Sequence, residues 1–253
     1  MATATLETSN PAFRADTFRQ ARAESYGTGA MTIQGAAVKS LVLVGILLAA
    51  AAYTWSQCRD GNVQAAYPYI IGGCIGGLIF AFVTIFNPRW SPVTAPLYAG
   101  CEGLALGGIS AAYEYVYQGI VLDAVGLTIG TLVVMLVAYA SGLVRATPKF
   151  VIGVIAATGA VALVYFVDIL LGFFGIHVPY IHDNGPVGIA ISGVIVVIAA
   201  LNLILDFDQV ERGAASGAPK FMEWYCGFGL LVTLVWLYLE ILRLLAKLQS
   251  RRD

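Results

Sequence analysis

Five carboxylic acids stand inside stretches of chain that are otherwise apolar. Glu102 lies in YAGCEGLALGG, Asp168 in VYFVDILLGFF, Asp206 and Asp208 in NLILDFDQVE, and Glu240 in VWLYLEILRLL. No Lys or Arg lies at the middle of these stretches. An ionised acid at the middle of a membrane span costs at least about 2.5–3.5 kcal/mol, so such residues face a bundle interior or a wet cavity. There a carboxyl is able to hold its proton. Two carboxyls close together share one proton and titrate as a unit. Such a pair is a pH-sensitive latch, and an oxygen-rich site for a hard cation such as Ca2+.

Each acid also has a plainer reading. Asp206 and Asp208 suit solvated acids at a helix end. Glu240 has Arg243 three residues on and on the same helical face. Glu102 suits a hydrogen-bonded tie to a neighbouring carbonyl, and Asp168 receives no role. His177 and His182 flank a loop with Asp183, too few ligands for zinc, and read as solvated. There is no HExxH, no GxSxG and no phosphate-binding glycine loop, so the expectation is a protein that is not an enzyme and holds no cofactor.

The elements that position these acids follow from composition. Of 253 residues, 59% are hydrophobic and 11% charged, with a mean hydropathy of +0.81. A soluble domain carries about 25% charged residues, so this is an all-α integral membrane protein. A net charge of −1 gives no basic field for nucleic acid. Four cysteines, Cys58, Cys74, Cys101 and Cys226, show no metal spacing and no disulfide framework, and read as small buried thiols.

A bilayer core takes about 20 apolar residues of helix. Seven segments qualify, at 38–56, 67–86, 92–113, 119–144, 150–175, 186–206 and 227–247. Breaks such as QCRDGN, NPRWSP and ERGAASGAPK mix Pro, Gly or Asn with charge, as loops do. The stretch 217–229 reads as an interfacial turn leading into the last span near Gly227. Small residues in IIGGCIGG and EGLALGGIS suit close helix packing.

Residues 1–37 read as a polar cytosolic tail, 38–248 as the membrane domain and 249–253 as a short basic tail. Arg14, Arg19, Arg22 and Lys39 precede or open the first span, and Arg89, Arg145, Lys149, Arg212 and Lys220 fall on the same side; Arg59 alone falls opposite. This bias predicts a cytosolic N-terminus and seven crossings. Arg243, Lys247, Arg251 and Arg252 count the other way. Either the other loops win, or the last segment does not fully cross.

Several stretches, in order, resemble the Bax inhibitor-1 (transmembrane Bax inhibitor motif) family, and its bacterial branch in particular. They are MTIQGAAVKSLVLV, TIFNPRWSPVTAPLYA, PLYAGCEGLALGGIS, LILDFDQVE and LVWLYLEILRLLAKL, covering about residues 28–248. The resemblance implies a seven-helix bundle with the last helix central and a pH-dependent Ca2+ leak of the cell membrane. It implies that a sixth-helix acid, here Asp206, pairs with a seventh-helix acid, here Glu240, as pH sensor, gate and Ca2+ ligand. Glu240 is one methylene longer than the aspartate such a protein has there. Arg89 is the nearest match to an arginine that partners the latch. Asp208, Glu102 and Arg243 are further latch or pore residues. The expected partners are lipid, Ca2+, protons and a membrane protein of unknown kind. A scaffold regulating a membrane protease or stress-response partner, and a proton-coupled transporter, are the rival readings.

Overall fold

In lipid every backbone polar group must be bonded within the protein, which leaves a long apolar chain little choice but helix. The computed structural model describes residues 29–58, 63–172, 174–175 and 185–251. His177, His182 and Asp183, most of the N-terminal tail with its arginines, Arg59 and Arg252 lie outside the described residues. Among the described residues seven long helices follow in order: α1 Ile33–Gln57, α2 Tyr67–Phe86, α3 Ser91–Val116, α4 Ile120–Ala140, α5 Pro148–Gly172, α6 Pro186–Ala215 and α7 Met222–Ser250.

Six of the seven are long and apolar enough to cross a membrane. The exception is α3, which has 26 residues but less apolar ones. It packs against both α1 and α2. Its small residues Ala95, Ala99, Gly103, Gly107 and Gly108 are buried, so contact with protein rather than lipid sets its composition.

Several boundaries differ from the sequence expectation. Helix α1 begins at Ile33, not near 38, so the last residues of the expected polar tail are its first turn, capped by Thr32. Helix α6 continues nine residues beyond Asp206, to Ala215. Nothing in DFDQVERGAA breaks a helix, and the Asp208–Arg212 pair, 2.8 Å apart at i,i+4, supports the extra turns. The stop comes at Gly217, whose φ of 68° only glycine adopts freely, with the Ala218 N–H bonded back to Gly213 O at 3.1 Å. Helix α7 begins at Met222, not near Gly227. Helix α4 ends at Ala140, ahead of Gly142 with φ 74°.

The chain forms two compact units, one of the described residues up to Gln118 with Asp208–Val232, the other of Gly119–Phe207 with the described residues from Thr233 on. In the first, glycines of α3 let backbones touch. A Cβ at Gly103 would stand 2.3 Å from Leu47 O, and one at Gly107 2.3 Å from Ala51 O. In the second, Val151 and Val154 of α5 pack on Leu205 of α6, and Asn202 Nδ2 donates to Thr158 Oγ1 at 2.8 Å. Helices α6 and α7 are the most enclosed spans, 44% and 50% buried against 11–17% for the other four. All four cysteines are free, and Cys226 alone is fully buried; Cys74 is exposed on the outward face of α2, where apolar surroundings suit a thiol as well as a core does.

Candidate functional site

Trp236, Glu240 and Arg243 recur at helical spacing on α7 and share one face. Glu240 is 2% exposed. Its carboxylate accepts from the Tyr165 hydroxyl of α5 (2.9 and 3.1 Å to the two oxygens), from Trp236 Nε1 at 3.3 Å, and from Arg243 Nη1 at 3.2 Å to each oxygen. Arg243 Nη1 also donates to the Tyr165 hydroxyl, and its guanidinium lies over the Tyr165 ring, 5.1 Å from the centroid. The Glu240–Arg243 pairing follows the spacing in the sequence. Tyr165 was not singled out by it.

Asp206, on α6, is completely buried; it is not a solvated acid. Lys247 is buried as well, and its Nζ donates to Gly188 O (3.2 Å) and Ser192 Oγ (2.9 Å) near the start of α6. That contact sets the register of α7 against antiparallel α6. Glu240, seven residues before Lys247, falls level with residues 195–199, seven to eleven residues before Asp206. At 1.5 Å per residue the two carboxyls are offset by at least about 10 Å along the axes. A Ca2+ ion takes about six to eight oxygens. The Glu240 oxygens accept from three donors, so an ion binding there requires those donors to let go. Among the described residues no cluster of three or more His, Cys, Asp or Glu is placed to hold a metal ion.

The remaining expected residues lie in the other unit. Asp208 is paired with Arg212. Glu102 is half-buried on the α2–α3 seam, with Oε2 2.9 Å from where a Gly77 Cβ would stand. Arg89 is exposed in the 3-10 turn Pro88–Trp90 between α2 and α3.

That unit also holds a cluster centred on Glu223, whose side chain is 1% exposed. Thr32 caps α1, accepting from Gly35 N at 2.9 Å. Glu223 Oε1 in turn accepts from Thr32 N (3.0 Å), Thr32 Oγ1 (3.1 Å) and Lys220 Nζ (2.6 Å). In an ordinary capping box the acid comes from the third helical residue. Here that residue is Gly35, and a Cβ on it would stand 1.9 Å from Glu223 Oε1. The acid therefore arrives from 191 residues away, into space that glycine leaves. Met31 N bonds Ala218 O at 2.7 Å, Ser91 Oγ bonds Phe221 O at 3.0 Å, and Lys39 sits 4.8 Å from the Trp224 ring centroid. The start of α1, the start of α3 and the α6–α7 connection are thus stitched together. The Lys220–Glu223 spacing was visible in the sequence; its partner Thr32 was not.

No curated protein and no solved structure matches the chain. A family model does, over residues 10–250, nearly the whole length and all seven helices just described, and so the chain belongs to the Bax inhibitor 1 like family of multi-pass membrane proteins.

Proposed function

We propose that the chain is a pH-sensitive passive leak for Ca2+ in the cell membrane, with the N-terminus cytosolic and with Asp206 and Glu240 as its titrating gate. The observation that carries this reading is the burial of Asp206 in α6 and Glu240 in α7, the two most enclosed of the six candidate spans of a Bax inhibitor 1 like chain. Two unit charges at least about 10 Å apart interact by at most about 1.7 kcal/mol at an effective dielectric constant of about 20. At that range the acids couple through the field rather than by contact. With one proton on the pair, Glu240 stays tied to Tyr165 and Arg243 and the path is closed. Loss of that proton sets two like charges against each other, loosens α6 from α7, and admits a divalent cation to the freed oxygens.

The test is dye-reported Ca2+ flux into liposomes holding the full chain, measured over a series of pH values. Flux is expected to rise with pH, and Asp206→Asn is expected to flatten that rise. An unchanged pH dependence in Asp206→Asn removes the gate assignment. No flux at all from the unaltered protein favours a scaffold for a membrane partner, and uphill uptake driven by a pH gradient favours a coupled transporter.

A further inference from the structure

Helices α5 and α6 leave an open groove of about 630 Å3 between them. Ala157 and Ala160 of α5 and Ala190 of α6 provide its depth, because alanine fills so little of the space between two helices. The other lining residues are apolar too, with Tyr165 the single one bearing a hydroxyl. From Pro186 to Ile198 the groove follows thirteen residues of α6, a rise of about 18 Å. One leaflet of a hydrocarbon core about 30 Å thick is about 15 Å deep. The rim residues are as exposed as the outward faces of α2 and α4, so the groove opens to whatever surrounds those faces, which in a membrane is lipid.

One end of the groove carries a cation. Arg243 lies over the Tyr165 ring that forms part of the wall, and its side chain is 36% exposed. Its bonds to Tyr165 and Glu240 all come from Nη1, which leaves Nη2 and Nε for another acceptor. Arg243 is 21 residues beyond Met222 along α7, about 31 Å, so it stands at the membrane face opposite the start of that helix. The Lys247–Gly188 bond puts the Pro186 end of α6 at the same face. Guanidinium groups bind phosphate through two N–H donors at once.

We propose that this groove holds one acyl chain of an anionic phospholipid, whose phosphate is bound by Arg243. The apolar length matches a single leaflet, and the charge sits where the headgroup of that leaflet lies.

The experiment uses the full chain in phosphatidylcholine vesicles with a small fraction of phosphatidylglycerol bearing a photoreactive acyl chain. Labelled sites are mapped by peptide mass spectrometry. Labelling around Ala160 and Ala190 is expected to exceed that at the outward-facing Phe82 and Leu127 by at least about tenfold, equivalent to about 1.4 kcal/mol. Ala190→Phe fills the groove and is expected to bring its labelling down to that of the outward faces; Ala160→Leu supplies the same reading should the first variant fail to fold. Arg243→Gln is expected to abolish the preference for phosphatidylglycerol over an equally labelled diacylglycerol. Even labelling of all outward faces overturns the groove site, and equal labelling by phosphatidylglycerol and diacylglycerol in the unaltered protein overturns the phosphate contact.

Discussion

Gly107→Leu is expected to abolish the packing of α1 on α3 and with it recovery of folded protein. A Cβ at this position would stand 2.3 Å from Ala51 O and 2.8 Å from Ala51 Cα. Both are backbone atoms of a helix, and neither can swing aside. Gly103, one turn earlier, meets Leu47 O in the same way, so the two glycines form one seam of the small-xxx-small kind. Overpacking an ordinary core costs about 1–3 kcal/mol. Against a backbone the cost is at least about 4 kcal/mol, a large part of the about 5–15 kcal/mol that holds a typical fold. The measurement is the yield of monodisperse protein after detergent extraction, followed by its thermal midpoint. Gly126→Leu is the control: no heavy atom lies within 4 Å of a Cβ there, and its stability is expected to stay within about 0.5 kcal/mol of the parent. Equal yields and midpoints for the two variants would contradict the seam.

Glu223→Ala is expected to lower stability by about 2 kcal/mol, because it removes the buried carboxylate that accepts from two Thr32 donors at the start of α1. Lys220 also loses its partner, but its side chain is 52% exposed and water replaces the carboxylate. Lys220→Ala is accordingly expected to cost less than about 1 kcal/mol. Gly35→Ala displaces the same carboxylate by steric means. Since the displaced group is the mobile end of a side chain, its cost falls between those of the other two. The double variant Gly35→Ala with Glu223→Ala is expected to be little worse than Glu223→Ala alone, as both remove one interaction. Thermal melts in a single detergent measure all four. Additive losses would mean that Gly35 acts through something other than the Glu223 carboxylate.

Features that depend on a local pattern were legible in the sequence. Seven apolar runs became seven long helices, and α2 spans the residues the hydropathy pattern marks out. Glu240 and Arg243, three apart, do pair. Boundaries failed where the pattern of lipid and water was taken for the pattern of helix and loop. Asp206 and Asp208 looked like an end because charge follows them, yet a helix stops only where the backbone must turn, and that is Gly217. Helix α3 looked like one more lipid-facing span, although its glycines and alanines are those of a helix wrapped by others. Arg243 and Lys247 counted as tail charges; both lie within α7 and are bonded to α5 or α6.

Contacts across the chain left no trace in any short stretch. Tyr165 is 75 residues from Glu240. Nothing in VYFVDILL distinguishes it from an aromatic residue at a lipid boundary. Thr32 is recognisable as a cap from TIQG alone, but glycine at the place of the usual acid reads as an incomplete motif until the α7 carboxylate is seen filling it.

The capping of α1 by Glu223 has a consequence for biosynthesis. Ribosomes add about 5–20 residues per second. The 191 residues between Thr32 and Glu223 therefore take about 10–40 s to make at that rate. Through that interval the first span sits in the bilayer with its leading amides open to water. Any nascent chain that stalls before the last span keeps that frayed end as a mark of its own incompleteness.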